Sequence, residues 1–329
     1  MKSTIYKLWI VLAAMECLVV YFTVTSLNDR FDELQLETRI INGTTRFATP
    51  KGSMTLVTAY FDIGRIAFKG FDKETYKIWA STFRYIATPL VVFTDSEDFF
   101  SHMTNTRAYF PEITRIIKMD KNNMWPFQSI EKIRRVFSQP EYPKHVPNTV
   151  MPQYAALQHS KYALVAHAIK NNFLKTDWYA WIDIGYFRDM VNNSIYFRVL
   201  PPIRLNSFSI GYTQVFNRNA TLTPMQIFKQ NAVWIGGGMF IGKATVLLQF
   251  EAEYQRAFNY FLELQLMNTD QQLIYALYSD YGRKVLKPEI EIQLFYPGTF
   301  SHGNIWFYLG NSCRYFLPKH FCPLRALKC

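Results

Sequence analysis

The sequence predicts an α/β protein in which a mostly parallel sheet is flanked by helices, preceded by an N-terminal transmembrane helix. Short apolar runs of strand length alternate with longer stretches of helical periodicity, which is typical of a parallel sheet covered on both faces. Several of these runs end in an acidic residue. A separate apolar stretch near the N-terminus is long enough to span a bilayer.

The individual elements follow from these runs. The predicted strands are residues 55–61, 89–94, 114–119, 178–182, 208–212 and 239–241. They are short and apolar, as buried strands of a parallel sheet are. The predicted helices are residues 74–85, 129–137, 154–174 and 245–267, with a further helix that starts at Asn268.

The chain shows no internal repeat and no linker after its first 52 residues. We therefore predict one compact domain at residues 53–312. Residues 28–52 are polar and end in Pro50 and Gly52, which is typical of a short stem. Residues 313–329 form a C-terminal tail that contains cysteines.

Composition excludes several classes of protein. Of the 329 residues, 49% are apolar and 19% are charged, unlike a disordered chain. The 14 Gly and 15 Pro are too few for a collagen-like or low-complexity sequence. The 36 Lys and Arg exceed the 25 Asp and Glu, for a formal net charge of +11. This excess favours an anionic partner: nucleic acid, a membrane surface or a phosphate-bearing small molecule.

Residues 8–27 are predicted to span a membrane. Sixteen of these 20 residues are apolar, and about 20 suffice to cross a bilayer as a helix. Glu16 lies inside the span and costs about 2–3 kcal/mol, which the surrounding apolar residues offset. Lys2 and Lys7 place residues 1–7 in the cytosol and the domain in the lumen. A cleaved signal peptide, which would give a secreted protein, and a buried helix of a soluble protein are the alternatives.

Three sequons, at Asn42, Asn192 and Asn219, are candidate N-glycosylation sites. Roughly two sequons would arise by chance in a chain with this many Asn, Ser and Thr. A disulfide between Cys313 and Cys322 would suit an oxidising lumen. The alternative is a tail of free thiols. No cysteine pair or His/Cys cluster supports a structural zinc site.

Polar residues follow three of the predicted strands. Asp62 and Arg65 follow the first, Asp95 the second, and Asp183 the strand at 178–182. In open α/β sheets, ligands bind beyond the carboxyl ends of the strands. Turn chemistry explains Asp62 and Asp95 equally well. Asp183 follows a very apolar run, and a polar group in such a place favours a functional explanation.

The segment around Asp183 is the centre of the functional prediction. A carboxylate at the end of a buried strand can hold a divalent cation against a diphosphate. Gly185 would let the backbone approach a bulky ligand, and Arg188 could pair with phosphate oxygens.

Gly236, Gly237 and Gly238 are consecutive, which favours either close passage of a ligand or a β-bulge. Asp270 begins a helix with a capping box formed by Thr269 and Gln272, so the helix dipole alone could explain this carboxylate.

Lys161 and His302 are two further basic residues, and the sequence leaves two interpretations open for each. Lys161 falls in the apolar stripe of its helix and either extends outward or reaches a buried anion. His302 lies in a loop and either completes a Mn²⁺ site with a carboxylate or is an ordinary surface histidine.

Together, the segments 55–65, 91–95, 181–188, 236–242 and 270–272 resemble the HtrL/YibB-type family of candidate glycosyltransferases. The likeness covers most of residues 53–305, and its sharpest part is the Trp-Ile-Asp-Ile-Gly segment that follows the helix carrying Ser160 and Lys161. Bacterial members are associated with the synthesis of lipopolysaccharide or surface glycans.

The order of elements also resembles a GT-A glycosyltransferase, in which a Rossmann-like sheet binds a nucleotide-sugar and a DxD motif binds Mn²⁺. The resemblance implies that Asp183 matches the first acid of that motif. Gly185 stands where the second acid is expected, and glycine cannot ligate a metal. His302 resembles the late metal-binding histidine of glycogenin-like enzymes. The implied cofactor is Mn²⁺ or Mg²⁺.

The first hypothesis is a single-pass type II membrane glycosyltransferase of the Golgi or endoplasmic reticulum. It would transfer a sugar from a nucleotide-sugar donor to a glycan or glycoconjugate acceptor. The donor-binding candidates are Asp62, Arg65, Asp95, Lys161, Gly185 and Arg188. Asp183 and Asp270 are the catalytic candidates, with Asp270 a general base if the reaction inverts. The three glycines would shape the acceptor side.

The second hypothesis is a membrane-anchored, catalytically inactive glycan- or nucleotide-binding protein on the same fold, and Gly185 supports it. Nucleic-acid binding is disfavoured. The densest basic cluster, around Lys132 and Arg135, is short and has no accompanying nucleic-acid motif.

Overall fold

The computed structural model describes residues 38–41, 44–47, 54–64, 72–297, 304–318 and 321. The chain divides into two compact units, Met1–Pro50 and Lys51–Cys329. In the first unit, strands β1 (Thr38–Ile41) and β2 (Thr44–Phe47) pair antiparallel. The membrane helix expected at residues 8–27 lies outside the described residues. Among the described helices, none combines the length and the apolar sequence that a membrane span requires.

The second unit contains the remaining strands and the helices. The strands are β3 (Met54–Tyr60), β4 (Leu90–Thr94), β5 (Thr114–Lys118), β6 (Trp178–Ile182), β7 (Phe197–Val199), β8 (Ser209–Gln214), β9 (Ile235–Lys243), β10 (Glu291–Phe295) and β11 (Arg314–Phe316). The helices are α1 (Lys73–Ala80), α2 (Glu97–Thr106), α3 (Trp125–Gln128), α4 (Ile130–Phe137), α5 (Pro152–Lys170), α6 (Pro224–Lys229), α7 (Ala244–Glu263), α8 (Asp270–Tyr278), α9 (Asp280–Leu286) and α10 (Tyr308–Ser312).

A seven-stranded sheet has the order β10-β8-β9-β6-β3-β4-β5. Strand β9 is antiparallel to both of its neighbours, and the other pairs are parallel. This confirms the predicted α/β fold with a mostly parallel sheet flanked by helices. From β3 the chain adds β4 and β5 on one side and then places β6 on the other. The strand order therefore reverses between β3 and β6, where open α/β sheets form a ligand crevice.

Apolar side chains cover both faces of this sheet. Neighbouring residues of β3 point to opposite sides, so Leu56 and Val57 belong to different buried clusters. Helices α5, α7 and α8 contribute to the cluster that contains Val57, and α1 and α2 contribute to the other. Burial on both faces explains why the strand sequences are continuously apolar.

Several elements coincide with the sequence prediction and others do not. Strand β6 matches the predicted residues 178–182, whereas β9 extends over the three glycines, well beyond the predicted residues 239–241. The helix predicted at 74–85 is α-helical to Ala80 and continues as a 3₁₀ helix, Ser81–Tyr85. The elements that the sequence did not predict include helices α2 and α6 and strands β7, β10 and β11.

A buried arginine joins the 3₁₀ helix, the segment that leads from it to β4, and the start of β5. The guanidinium of Arg107, 2% exposed, donates to the carbonyl oxygens of Phe83, Ile86 and Thr88 at 2.7, 2.5 and 3.2 Å. Its Nε donates to Thr114 Oγ1 at 2.9 Å. Burial lowers the pKa of Arg107 to about 9. The side chain satisfies backbone groups that would otherwise be buried without partners.

We expect Arg107→Leu to lower the free energy of unfolding by about 3–5 kcal/mol, because it leaves several buried acceptors unsatisfied. Urea denaturation measures this. Arg115→Leu is the matched control, since Arg115 is exposed, and should change stability by no more than about 0.5 kcal/mol. Equal effects of the two substitutions would contradict the structural role of Arg107.

Candidate functional site

A cavity of about 460 Å³ opens at the point where β3 and β6 end. Ala59, near the end of β3, and Asp183, directly after β6, both line it. Its volume is within the range of small-molecule sites. Aromatic side chains form much of its wall: Tyr76, Trp79, Tyr154, Trp181, Tyr186, Trp306 and Phe307.

Asp183 presents its carboxylate to this cavity. Its backbone N–H donates to Gly238 of β9 at 2.9 Å, which continues the β6–β9 pairing by one residue. Its Oδ1 accepts from Trp181 Nε1 at 2.6 Å and lies 3.3 Å from Lys161 Nζ. The side chain is 42% exposed. One oxygen is therefore held by the protein, while the carboxylate as a whole remains accessible.

Lys161 lies behind Asp183 and is 3% exposed. Its ammonium donates to Gly237 O at 2.8 Å and to Asp270 Oδ2 at 3.3 Å, and it pairs with Asp183 Oδ1. Burial opposes the charge on Lys161, but the carboxylates of Asp183 and Asp270 outweigh burial and raise the pKa of Lys161. An ammonium has three donors, and three protein oxygens surround this one.

Asp270 is the second carboxylate of the site and is 1% exposed. It occupies the first turn of α8, whose N-terminus has the predicted capping box: the N–H and hydroxyl of Thr269 both donate to Gln272 Oε1. Burial raises the pKa of Asp270 to about 6, although Lys161 acts in the opposite direction. Lys161, Asp183 and Asp270 are together called the carboxylate–lysine cluster.

A buried histidine supports the start of α8. His159 Nε2 lies 3.1 Å from the carbonyl oxygen of Asn268, which can only accept, so Nε2 carries the proton. His159 Nδ1 then accepts from the Tyr254 hydroxyl at 2.6 Å. Burial lowers the pKa of His159 to about 3, which keeps the ring neutral. His159 and Lys161, two residues apart on α5, both contact the segment that carries Asp270.

The glycines allow close packing around the cluster. A Cβ on Gly237 would lie 2.7 Å from Asp270 Oδ2, and one on Gly185 would lie 2.6 Å from Trp79 Cε3. The β8–β9 pairing also shifts register between Tyr212 and Thr213. The register shift supports the bulge interpretation of the glycine run. Close passage of a ligand stays a prediction, and Gly237 and Gly238 line the cavity in which it would bind.

Arg188 lies at the cavity wall and is exposed. Its guanidinium carbon is 5.2 Å from the centre of the Trp79 ring and 4.6 Å from that of Phe307. Such cation–π contacts orient the group. Within the described part of the chain, no carboxylate forms an ion pair with Arg188. Its N–H donors remain available to an anion.

Comparison with known proteins identifies the family. The family model described as "Bacterial protein of unknown function (HtrL_YibB)" matches residues 52–283. The chain belongs to the HtrL_YibB family. It is 32% identical to Protein HtrL of Escherichia coli (strain K12) over 149 residues, which are 41% of this chain and 52% of HtrL. The chain thus spans about half the length of the curated relative that it matches. The resemblance inferred from the motifs is confirmed for the family.

The structure brings most of the predicted site residues of this HtrL_YibB member together. Those that line the cavity are Lys161, Asp183, Gly185, Arg188, Gly237, Gly238 and Asp270. Gly236 is on the same strand but does not line it. All of these residues lie within the span of the family match, whereas Trp306 and Phe307 lie beyond it.

Asp62 and Asp95 are neighbours but are not among the cavity-lining residues. Asp95 Oδ1 accepts from the N–H of Asp62 at 2.9 Å, and its other oxygen pairs with Lys121. The Asp62 carboxylate accepts from the N–H of Gly64. These contacts fit turn chemistry. Arg65, the other predicted residue after β3, lies outside the described residues.

The remaining predicted sites are located as follows. Asn192 and Asn219 are exposed, and Asn42 lies outside the described residues. Cys313 is buried and forms no disulfide among the residues described, and burial raises its pKa to about 12. Cys322 is not among those residues, so the Cys313–Cys322 bond stays a prediction. Just after Cys313, β11 pairs with β7, which adds a strand beyond Ser312.

The sequence prediction did not include the aromatic wall or Gln158. A signal existed for part of it: Tyr154, Gln158 and Lys161 fall on one face of α5 at helical spacing, and all three line the cavity. Trp79, Trp306 and Phe307 come from distant parts of the chain, and nothing in their local sequence links them to Asp183.

Among the described residues, those around Asp183 do not form a site for the divalent cation that the resemblance implies. Gly185 offers no ligand, and its contact with Trp79 leaves no room for a carboxylate in its place. The described residues contain no group of three or more His, Cys, Asp or Glu side chains arranged to hold a metal. His302, the other expected ligand, lies outside those residues.

The contact between Gly237 and Asp270 can be tested by adding one methyl group. Gly237→Ala should lower the free energy of unfolding by about 1–3 kcal/mol, because the new Cβ displaces a carboxylate that is fixed by Lys161. Gly236→Ala is the control on the same strand, since its Cβ would lie 3.4 Å or more from its neighbours. Urea denaturation of both variants measures the difference, and equal losses would contradict this packing.

The raised pKa of Asp270 predicts a specific pH dependence of stability. The pKa of the Asp270 carboxyl group is about 6 in the folded protein and 3.8 in the unfolded chain, so the folded protein holds the carboxyl proton more tightly. The carboxyl group therefore contributes stability that is fully present below 3.8 and is lost as the pH rises through about 6. As the pH rises through this window, the free energy of unfolding of the wild type should fall by up to about 3 kcal/mol relative to that of Asp270→Asn. Urea denaturation at several pH values tests this, and a constant difference would contradict it.

Proposed function

We propose that this protein is a glycosyltransferase that transfers a sugar from a nucleotide-sugar donor to a glycan or glycoconjugate acceptor. The observation that carries the proposal is the position of Asp183. This accessible carboxylate lies in an aromatic-walled cavity at the point where the strand order reverses, backed by Lys161 and Asp270.

The cavity offers complementary groups for both parts of a donor. Aromatic faces suit the base and the sugar rings. The Arg188 guanidinium suits the diphosphate, because its planar donors match phosphate oxygens. Burial and the nearby Asp183 carboxylate raise the pKa of Tyr76 to about 12, so this hydroxyl stays protonated and can donate a hydrogen bond. All of these groups line one cavity.

Accessibility divides the roles of the two carboxylates. A general base must come within hydrogen-bond reach of the hydroxyl whose proton it removes. The Asp183 side chain is 42% exposed and that of Asp270 only 2%. We therefore place Asp183 against the substrate, where it accepts a proton as the acceptor oxygen attacks the sugar and the nucleoside diphosphate departs. Asp270 acts behind it by fixing Lys161.

The proposed location rests on the sequence. The apolar run at residues 8–27 and the basic residues that precede it support a type II anchor in the Golgi or endoplasmic reticulum, with the domain in the lumen. Secretion after cleavage of a signal peptide is the alternative. The exposed sequons at Asn192 and Asn219 are compatible with both locations.

The test is sugar transfer or nucleotide-sugar hydrolysis by the purified protein. Asp183→Ala should lower the rate by about 10²–10⁴-fold, as expected when a base that contacts the substrate is removed. Asp177→Ala is the matched control, because Asp177 is exposed and precedes the same strand at its other end. Arg188→Ala should mainly raise the KM for the donor. Equal activity of the wild type and Asp183→Ala would exclude Asp183 from the reaction.

A second candidate function is binding without turnover, which the packing of Gly185 against Trp79 supports by leaving no place for a second acid. Titration with nucleoside diphosphates, followed by assays with several nucleotide-sugars, separates the two functions. Binding without transfer or hydrolysis of any donor would favour the binding protein.

A further inference from the structure

The ammonium of Lys161 occupies the place between two carboxylates that come from different elements. Asp183 follows β6 and Asp270 begins α8, and Lys161 reaches both from α5. Its Nζ is 3.3 Å from Asp183 Oδ1 and 3.3 Å from Asp270 Oδ2. In many proteins, two carboxylate oxygens that converge in this way hold a divalent ion between them. Here the bridging cation belongs to the chain.

The lysine is fixed in this position by its surroundings. Its side chain is 4% exposed, and its shortest contact is the hydrogen bond to the carbonyl oxygen of Gly237 at 2.8 Å. Gly237 itself has no space for a side chain, since a Cβ would meet Asp270. Three protein oxygens, Gly237 O, Asp183 Oδ1 and Asp270 Oδ2, therefore surround an ammonium that is almost completely buried. Its charge compensates Asp183 and Asp270, and it has no donor left for a phosphate.

The rest of the site is consistent with this arrangement. Trp181 Nε1 donates to the same Asp183 oxygen that faces Lys161, so that oxygen already has two donors. Among the described residues that line the cavity, Arg188 carries an accessible positive charge, and Trp79 and Phe307 orient it. The buried cation and the accessible cation thus have separate partners: one faces the carboxylates and the other faces the ligand.

We propose that Lys161 is the resident counter-ion of the Asp183–Asp270 pair, so that the protein binds the diphosphate of its donor without a divalent metal ion. The diphosphate part of this proposal rests on the proposed function, and the counter-ion part does not. Lys161 is a positioning residue in this scheme, and Arg188 is the residue that meets the phosphates.

The counter-ion role is tested by Mn²⁺ binding to the full-length protein, measured by electron paramagnetic resonance without nucleotide. We expect no saturable binding to the wild type. Lys161→Met should create a saturable Mn²⁺ site at mildly alkaline pH, because it leaves two converging carboxylates without a cation. Adding Asp183→Asn to Lys161→Met should abolish that site again.

Two outcomes would overturn the counter-ion role. One is saturable binding of Mn²⁺ to the wild type that Asp183→Asn removes. The other is a folded Lys161→Met variant, with a circular dichroism spectrum like that of the wild type, that gains no site. If Lys161→Met does not fold, the wild-type titration and its Asp183→Asn counterpart decide the question.

The diphosphate part is tested by calorimetric titration of the wild type with UDP, GDP, CDP and ADP, in EDTA and in MnCl₂. We expect the Kd of the best ligand to agree within about twofold between the two conditions. A Kd weaker in EDTA by about tenfold or more, equivalent to about 1.4 kcal/mol, would overturn metal independence. Binding of none of these nucleotides in either condition would contradict the proposed function, while the Mn²⁺ experiment would still judge the role of Lys161.

Discussion

The site depends on the buried ion pairs of Lys161. Removing one member of such a cluster leaves an uncompensated charge in a place that excludes water, which is costly. The same contacts connect α5, the end of β6 and the start of α8. The ion pairs therefore fix the geometry of the cavity as well as its charge. Asp183 can remain accessible because Lys161 and Asp270 are held behind it.

The sheet determines where this cluster can form. The connections that leave β3 and β6 run toward opposite edges of the sheet, and residues that follow these two strands face a crevice there. The antiparallel strand β9 runs beside β6 and brings Gly237 and Gly238 to the same place. Small residues are needed at this approach, because Asp270 and the ring of Tyr186 lie within contact distance of any added Cβ.

Much of the fold and part of the site could be predicted from sequence. Buried parallel strands have continuous apolar runs, so β6 was located to the residue, and the strand-end rule pointed to Asp183. Strand β10 was missed because it lies at the edge of the sheet and is only partly buried, which leaves its sequence mixed. The partnership of Lys161 with Asp270 spans 109 positions along the chain. No local pattern encodes such a pairing, and none indicated that Arg107 would be buried.

Some of the residues that line the cavity lie within the segment that the family model matches, and others lie after it. The carboxylate–lysine cluster lies inside the span that the HtrL_YibB model matches, whereas Trp306 and Phe307 come from residues beyond it. Arg188 contacts both parts of the chain: its guanidinium packs on Trp79, which lies within the family match, and on Phe307, which lies beyond it. A substitution at Trp306 or Phe307 would therefore reshape the cavity wall and leave the ion pairs of Lys161 with Asp183 and Asp270 in place.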